Sequence, residues 1–404
     1  MKILVLDTIH GGDEISRRFI SSGHNTDTVD VYRHKSGISE DDALLKSYDL
    51  IAAPVHLDPD YILLKKDCKV ISHHQASAMI IKDKKPGLMI EITGARGKTT
   101  TAHALAHVLK EHKSRGLLHT SKGTVEFPGG KTLWKKSITP ASAIDAALYA
   151  YENDLWLIAE ESLGVTGAGD IGILTSKEDY RIASGKKSAT DAKLESLRNS
   201  GILITAPDED PGNTECSVHS EDITAVKDGI CHYSHNGIKG TFKNPLLEIT
   251  GYRKALQTAA ATACTLGIDP ACLKDFLALE GRMSSGKTGS NVIIDNSNSG
   301  VNKETTLDAV TYAKKVSTKD NLTLVIGLEA DNICEGFPPE EILDAIRQSG
   351  AEKVVLAGRA ARLKKEADRL AGYVTVSSGL QDGITTAEKI TDNGLIVLSV
   401  KTWR

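Results

Sequence analysis

Short apolar runs alternate with polar, helix-forming stretches over the first 86 residues of the chain. Strands are predicted at Lys2–Asp7, Thr28–Tyr32, Asp49–Ala53 and Lys69–Ser72, with a first helix at Glu14–Ser22. This alternation is typical of a small parallel α/β domain, and the polar run 82–87 that follows has the composition of a linker. Gly11-Gly12 lacks the G-x-G-x-x-G spacing, so a structural turn is favoured over a phosphate or carboxylate site.

A second α/β region is predicted over residues 87–283. Its apolar runs are short and rich in β-formers, as in the buried strands of a parallel sheet. Strands are predicted at Leu88–Ile92, Leu155–Ala159, Ile171–Thr175 and Ile202–Thr205, and helices at Ala102–Lys110, Thr190–Leu197 and Lys254–Leu266. A further helix is predicted to begin at Pro140, with Thr139 as its N-cap.

The third region, residues 284–404, again alternates strands and helices. Its strands are predicted at Asn291–Asp295, Leu322–Ile326, Lys353–Leu356, Tyr373–Val376 and Leu395–Val400, the pattern of a doubly wound sheet. Residues 282–290, rich in Ser, Gly and Lys, are predicted to be a flexible linker. The chain is therefore predicted to be an α/β protein with domains at 1–86, 87–283 and 284–404.

Composition and charge exclude several function classes. The formal net charge is −4 and aromatic residues make up 4% of the chain, so neither attraction to nucleic acid nor a stacking surface for bases is expected. No apolar run approaches the length of a membrane span, and the N-terminus is expected to be a strand rather than a signal peptide. The six cysteines form no C-x-x-C pair and are expected to be reduced thiols in a cytoplasmic protein.

Between a predicted strand and a predicted helix lies the run Gly94-Ala95-Arg96-Gly97-Lys98-Thr99-Thr100. A strand, a glycine loop and a helix N-terminus form an anion site, because backbone N–H groups and the helix dipole both face the ligand. Lys98 can reach terminal phosphates, and Thr99 can offer its hydroxyl to Mg²⁺. The run therefore predicts a binding site for a nucleoside triphosphate. The alternative is an ordinary βα turn that contains Gly and Lys.

Four further residues are candidates by their position. Glu160 is the first acid after a central strand, where a carboxylate can hold Mg²⁺ jointly with Thr99; the alternative is a solvated acidic strand end. Asp295 ends a strand and suits ribose hydroxyls, whereas Asn298 taken alone is more typical of a helix cap. Arg282 lies at a predicted hinge, where it can reach a phosphate when domains close.

Together these residues resemble the Mur ligase superfamily, which includes the peptidoglycan amino-acid ligases and folylpolyglutamate synthase. The similarity covers residues 88–404. The matching runs are the phosphate loop 94–100, Thr139-Pro140, Ala159-Glu160-Glu161-Ser162, Glu280-Gly281-Arg282-Met283 and Asp295-Asn296-Ser297-Asn298.

The resemblance implies a role for each matched residue. Lys98, Glu160 and Lys193 would be catalytic, Lys193 standing at the spacing of a lysine that many members carry carbamylated. Lys193 taken alone is more typical of a solvated helix lysine. Thr99 and Glu160 would hold Mg²⁺. The nucleotide would contact the residues of the phosphate loop together with Arg282, Asp295 and Asn298.

Three departures from the family pattern point to an outlying branch rather than a cell-wall enzyme. Tyr180 stands where the amide-forming ligases usually have a metal-binding His, which leaves the number of Mg²⁺ ions open. Gly251-Tyr252-Arg253 replaces the usual Gly-His-Asn, and Asn298 replaces a His, so adenine recognition is expected to differ.

The opening run 1–12 and the phosphate loop resemble a methanogen branch whose members complete the nickel tetrapyrrole coenzyme of methyl-coenzyme M reductase. This implies an ADP-forming ligase that activates a substrate carboxylate as an acyl phosphate and closes a carbocycle through a carbon–carbon bond. ATP and Mg²⁺ are the implied cofactors. A nickel tetrapyrrole is the implied substrate, bound by the N-terminal domain of a monomer or homodimer. Two alternatives stay open: an amide ligase that joins an amino acid to a carboxylated cofactor, and a nucleotide-binding regulatory module.

Overall fold

The computed structural model describes residues 1–112, 115–212, 217–329 and 336–402. The chain divides into two compact units, Met1–Leu247 with Gly251–Phe276, and Glu248–Thr250 with Leu277–Arg404. The first unit contains the N-terminal and central sheets, and the second contains the C-terminal sheet. The predicted domain boundaries stay a prediction. None of the described helices is both long and apolar enough to span a membrane.

Four described strands form an all-parallel N-terminal sheet in the order β2-β1-β3-β4. They are β1 (Lys2–Leu6), β2 (Asn25–Val29), β3 (Leu50–Ala53) and β4 (Lys69–Ser72), accompanied by helices α1 (Gly12–Ser21), α2 (Glu40–Leu45) and α3 (His73–Ile81). β1 and β3 are buried over almost their whole length, which explains their continuous apolar sequences. The strand order changes direction between β1 and β3, and open α/β sheets bind ligands at such a switch point.

The central sheet has eight strands within the described ranges, in the order β14-β13-β10-β5-β9-β6-β7-β8. Along the chain its region contains β5 (Met89–Thr93), β6 (Gly116–Thr120), β7 (Gly123–Phe127), β8 (Lys131–Trp134), β9 (Trp156–Glu160), β10 (Ile171–Leu174), the hairpin β11 (Arg181–Ile182) and β12 (Lys187–Ser188), β13 (Ile202–Thr205) and β14 (Ser217–His219). From β14 to β6 the neighbours are parallel, whereas β7 and β8 pair antiparallel.

Helices flank this sheet and a small antiparallel sheet follows it. The helices are α4 (Lys98–His112), α5 (Pro140–Glu152), α6 (Ala189–Leu197), α7 (Ser220–Ile223) and α8 (Thr250–Thr265), and the small sheet contains β15 (Thr224–Lys227), β16 (Ile230–His235) and β17 (Ile238–Lys243). The helix predicted after Thr139 does begin at Pro140, which takes the first helical position without losing a needed N–H.

Six strands of the described chain form the C-terminal sheet in the order β18-β19-β23-β20-β21-β22. They are β18 (Ser284–Thr288), β19 (Asn291–Asp295), β20 (Leu322–Leu328), β21 (Lys353–Gly358), β22 (Tyr373–Ser377) and β23 (Leu395–Lys401), with helices α9 (Lys303–Val316), α10 (Pro339–Ser349), α11 (Lys364–Ala367) and α12 (Leu380–Ile390). Apart from the antiparallel edge strand β18, all neighbours are parallel. The predicted α/β fold class with a doubly wound C-terminal sheet is confirmed.

The prediction that residues 282–290 form a flexible linker is wrong. β18 pairs antiparallel with β19, Ser284 opposite Asp295, through a turn in which Gly289 has a φ of 56°. β18 is a sheet edge with an exposed centre, so its Ser, Gly and Lys composition resembles that of a loop. The strand predicted at Thr28–Tyr32 instead spans Asn25–Val29, as β2. β2 is a polar edge strand, so a pattern of apolar residues does not mark its bounds.

The N-terminal and central sheets share a hydrophobic core. α1 and α3 pack on α5, and Phe19 of α1 belongs to the same buried cluster as Ile144 of α5 and Leu157 of β9. Burying each such side chain stabilises the fold by about 1.5–3 kcal/mol. At the rim of this contact, the Arg18 guanidinium donates to Asp145 Oδ1 at 2.7 Å. The packing therefore attaches the N-terminal sheet directly to the region that carries the phosphate loop.

We expect Gly12→Ala to lower the free energy of unfolding by about 1–3 kcal/mol. A Cβ on Gly12 would lie 1.7 Å from the Asp7 carbonyl oxygen, so the first turn of α1 or the strand end must shift. Gly251→Ala is the matched control, because Gly251 also lies in the first turn of a helix but has open space around it. That control should raise stability by up to about 1 kcal/mol. Thermal unfolding followed by circular dichroism measures both, and equal melting temperatures would contradict the packing argument.

Candidate active site

The phosphate loop connects β5 to α4 with backbone angles that require glycine. Gly94 and Gly97 have φ values of 146° and 84°, and a Cβ on Gly94 would lie 2.2 Å from Thr175 Oγ1. The backbone N–H groups of Ala95 and Arg96 both donate to the Ser176 hydroxyl oxygen, at 2.9 and 2.8 Å. Two adjacent N–H groups directed at one oxygen are the arrangement that a phosphate oxygen would accept.

Two loop side chains have contacts of their own. The Lys98 ammonium donates to the Gly94 carbonyl oxygen at 2.8 Å, so this side chain lies along the loop. Arg96 Nε lies 2.7 Å from Glu178 Oε2 in a half-exposed ion pair. The Arg96 side chain is thus paired with Glu178, while its backbone N–H donates to Ser176. Thr100 is buried in the first turn of α4.

Thr99 and Glu160 meet at the carboxyl edge of the central sheet. The Thr99 hydroxyl donates to Glu160 Oε2 at 2.9 Å, with Oε1 at 3.1 Å. The Ser121 backbone N–H donates to Glu160 Oε2 at 3.2 Å, and the Ser121 hydroxyl lies 3.5 Å from the Thr99 hydroxyl. Both Thr99 and Glu160 are about 2% exposed. Carboxylate and hydroxyl oxygens are ligands that Mg²⁺ accepts, so the residues present fit this ion.

The neighbouring acid, Glu161, has a different environment. Glu91, in the middle of β5, is fully buried and accepts hydrogen bonds from the backbone N–H groups of Thr166, Gly167 and Gly169 and from the Thr166 hydroxyl. Burial and the nearby Glu91 carboxylate raise the pKa of Glu161 well above its usual range. The protonated form of Glu161 is therefore favoured, whereas Glu91 has the hydrogen-bond donors that a carboxylate needs.

Lys193 is the largest fully buried side chain of the described residues, at 1% exposure on α6. Its Nζ lies 4.9 Å from the centre of the Tyr180 ring, a cation–π distance. The residue at the position of the family His therefore contacts the residue at the position of the family lysine. The expectation of a solvated helix lysine does not hold.

The three remaining predicted residues lie together in the second unit. Asp295 ends β19, and its Oδ1 accepts from the Ser297 backbone N–H at 2.9 Å. The Asn298 side chain donates to the Gly281 carbonyl oxygen at 2.8 Å and accepts from the Gly300 N–H at 2.8 Å. Asn298 thereby joins the segment after β19 to the residue before Arg282. The phosphate loop, Glu160 and Lys193 all belong to the first unit.

Sequence reasoning missed three residues of this site: Ser121, Ser176 and Glu91. Glu91 carried a usable signal, because a lone acid in an apolar strand must find hydrogen-bond donors. Ser121 and Ser176 gave no such signal. Ser176 follows β10, which adjoins β5 in the folded sheet, and it lies 80 residues from Arg96. Ser121 follows β6, which adjoins β9, the strand of Glu160.

Comparison with solved structures identifies the class of protein. FolC from E. coli, solved with DHPP and ADP, has a TM-score of 0.62 at 14% identity, covering 82% of this chain and 90% of that one. UDP-N-acetylmuramate-alanine ligase from Thermotoga maritima has a TM-score of 0.55 at 12% identity, covering 100% and 96%. The fold is therefore that of the Mur ligases and FolC.

Sequence comparison is more specific. The family described as coenzyme F430 synthetase CfbE, C-terminal domain, matches residues 285–402. The coenzyme F(430) synthetase of Methanosarcina acetivorans is 32% identical over 474 aligned positions, covering 100% of this chain and 99% of the relative. That of Methanocaldococcus jannaschii is 26% identical over 225 positions, covering 50% of each. The chain belongs to the coenzyme F430 synthetase family, and these relationships support an ATP-dependent ligase.

We expect Glu161→Gln to change how stability depends on pH. The folded state keeps the Glu161 proton above the usual value of 4.5, so the wild type loses stability, relative to this variant, as pH rises above that value. Glu152→Gln, at the exposed end of α5, is the matched control and should follow the wild type. Urea unfolding between about pH 5 and pH 8 measures the difference. Parallel curves for all three proteins would contradict a raised pKa of Glu161.

Proposed function

We propose that this protein activates a carboxylate of a nickel tetrapyrrole as an acyl phosphate and then closes a carbocyclic ring through a carbon–carbon bond, releasing ADP and phosphate. The observation that carries the proposal is the Thr99–Glu160 contact beside the Lys98 loop, where a magnesium nucleotide and a reacting carboxylate can meet. The relatives named coenzyme F(430) synthetase support the tetrapyrrole as substrate.

Thr99 and Glu160 are the proposed Mg²⁺ ligands, with the Ser121 hydroxyl beside them. When bound, Mg²⁺ neutralises charge on the phosphates. Glu160 is well suited to this role because the Thr99 hydroxyl and the Ser121 N–H already fix its carboxylate in place. Preorganisation of this kind reduces the ordering required when a ligand arrives.

The loop residues would exchange internal partners for phosphate oxygens. Ala95 and Arg96 N–H groups would leave the Ser176 hydroxyl, and Lys98 would leave the Gly94 carbonyl. These donors then stabilise the negative charge on the γ-phosphoryl group as the substrate carboxylate attacks phosphorus and the bond to ADP breaks.

The second step, as proposed, consumes the acyl phosphate within the same molecule. A carbon nucleophile of the tetrapyrrole attacks the acyl carbon, that nucleophile loses a proton, and phosphate leaves. The net change is the loss of one water from the substrate at the expense of one ATP. The acyl phosphate must be shielded from water until the attack, for which domain closure at Arg282 is the proposed means.

Lys193 and the residues of the second unit complete the proposal. The buried Lys193 ammonium beside Tyr180 would bind the anionic acyl phosphate; carbamylated, Lys193 would instead orient it through a bound metal. Asp295 would hold ribose hydroxyls, a role for which strand-end acids are suited. Asn298, joined to Gly281, would position Arg282 against the nucleotide.

Phosphate release from ATP tests this function. Purified protein with Mg²⁺ and the ring-open nickel tetrapyrrole acid, with no amine added, should release ADP and phosphate in equal amounts and give a product lighter by one water. Turnover that starts only when an amino acid is supplied would instead establish an amide ligase. ATP binding without turnover under either condition would establish a regulatory module.

We expect Lys98→Ala to reduce turnover in this assay by about a hundredfold or more, because the developing charge on the γ-phosphoryl group loses its cation. Lys110→Ala is the matched control, since Lys110 lies near the other end of α4. It should keep wild-type turnover. Melting temperatures equal to that of the wild-type protein would show that both variants keep the fold. An active Lys98→Ala protein would refute the proposed role of the loop.

A further inference from the structure

Two histidines follow the strands on either side of the switch point in the N-terminal sheet. His10 lies in the loop after β1, and His56 lies in the loop after β3. Their rings are 4.7 Å apart and nearly perpendicular, at 81°. Together with Asp7 they form a cluster whose potential metal-binding atoms all lie within 4.8 Å of one another. Open α/β sheets bind ligands at this position, so the cluster is placed where a substrate would be expected.

Asp7 fixes the orientation of His10. Asp7 is fully buried, with a φ of 73°, a conformation that non-glycine residues rarely adopt. Its Oδ1 accepts from the Ile9 backbone N–H at 2.8 Å, and its Oδ2 lies 2.6 Å from His10 Nδ1. Because a carboxylate only accepts, Nδ1–H is the donor, and Nε2 of the neutral ring carries the free lone pair. This is the arrangement by which proteins orient a metal-binding histidine.

The geometry favours one histidine ligand over a chelate made by the whole cluster. Two atoms bound to the same ion at about 2.1 Å, in tetrahedral geometry, lie about 3.4 Å apart. Asp7 Oδ2 and His10 Nδ1 are 2.6 Å apart, a hydrogen-bond distance. His10 therefore has Nε2 to offer to a metal whose other positions are already filled. With 46% of its side chain exposed, His10 is accessible to a large ligand.

An aromatic surface lies beside this nitrogen. The Tyr32 ring is stacked on His56 at 16°, with centroids 5.9 Å apart, and its centroid is 5.6 Å from that of His10. Tyr32 is 43% exposed. His56 Nε2 is buried and has no hydrogen-bond partner among the residues the structure describes. A flat macrocycle bound here would cover the aromatic ring and could supply that missing partner.

The loop that carries His10 is adjacent to the phosphate side of the first unit. A Cβ on Gly11 would lie 2.4 Å from Ala141 Cβ, so the loop packs directly on the start of α5. Just before α5, the Ile138 carbonyl oxygen accepts from the Ser162 N–H at 2.9 Å. Ser162 follows Glu160 by two residues. A ligand held by His10 therefore lies near the segment that continues from the proposed Mg²⁺ ligand.

We infer that His10 Nε2 is an axial ligand of the nickel ion in the tetrapyrrole substrate, with Asp7 as its positioning residue. The inference rests on the proposed function. It names the contact that anchors the macrocycle, leaving the substrate carboxylate to be directed toward the phosphate loop.

Nickel K-edge X-ray absorption tests the inference on the intact protein. The nickel tetrapyrrole acid is measured alone and with excess protein, without ATP. Wild-type protein should abolish the pre-edge feature of four-coordinate square-planar nickel and add a nitrogen scatterer. His10→Ala should leave that feature unchanged and raise the Kd, measured by visible absorption, about tenfold or more. Added imidazole should restore axial coordination in this variant.

Two further variants separate coordination from structure. His34→Ala, which removes an exposed histidine outside the cluster, is the control and should bind as the wild type does. Asp7→Asn should weaken binding about tenfold while the nickel keeps its axial nitrogen, because His10 remains but is less well oriented. A merely structural role for His10 would lower the melting temperature without changing the nickel spectrum of whatever complex still forms.

The outcomes distinguish this inference from the proposed function. Normal ring closure by wild-type protein, with unchanged nickel coordination or with an unaffected His10→Ala variant, would overturn the role of His10 alone. Failure of wild-type protein to turn over the tetrapyrrole acid would overturn the proposed function, and the inference with it. Tight binding of free Ni²⁺ or Zn²⁺ that requires Asp7, His10 and His56 together, without any effect on the tetrapyrrole spectrum, would replace the inference with a resident metal site.

Discussion

The candidate site depends on the parallel register of β5 with its two neighbours. Ile92 of β5 pairs with Glu160 of β9, and Thr93 pairs with Leu174 of β10. The three strands therefore end at the same level of the sheet. Glu160 at the end of β9 and Ser176 just after β10 can then contact the loop and helix start that follow β5. Side chains alternate across a strand, so a slip of one residue in β9 would direct Glu160 to the opposite face. The Thr99 contact exists only in the observed register.

The same alternation explains why two adjacent acids behave differently. The Glu160 side chain accepts a hydrogen bond from the Thr99 hydroxyl, whereas the Glu161 side chain lies close to the Glu91 carboxylate. A buried carboxylate is costly unless donors surround it, and Glu91 has several from the loop at 166–169. Burial and the nearby Glu91 carboxylate raise the pKa of Glu161 well above its usual range, so its protonated form is favoured. Glu91 thus fixes the loop at 166–169 through hydrogen bonds.

Local sequence patterns were sufficient to place several strands. β4, β13 and β19 have the predicted bounds, because each is a short apolar run between clear breakers. The phosphate loop and Glu160 were also predicted from local pattern, a loop between strand and helix and an acid after a strand. The structure brings Thr99 against Glu160, and their binding roles stay a prediction. α4 was predicted too short, because it begins at Lys98, inside the loop itself.

The features that could not be predicted from the sequence depend on contacts between residues far apart along the chain. Ser176 and Ser121 belong to the site because their strands adjoin β5 or β9 in the folded sheet. Edge strands such as β18 are polar because water covers them, so composition does not separate them from loops. Helix α3 was not predicted; His73 and His74 begin it and are both buried. A capping box at Ser72 starts the helix there.

The buried His74 shows how the N-terminal sheet region and the segment after Glu160 are held together. His74 Nε2 lies 3.0 Å from the Ser162 carbonyl oxygen, and burial lowers the pKa of His74 to about 4. The ring is therefore a neutral N–H donor at physiological pH, and the contact between α3 and the segment after Glu160 does not depend on titration. The His10 cluster and the phosphate loop lie on separate loops of the first unit. Because the His10 side chain is exposed, its substitution is expected to alter the N-terminal cluster while leaving the geometry of Thr99 and Glu160 unchanged.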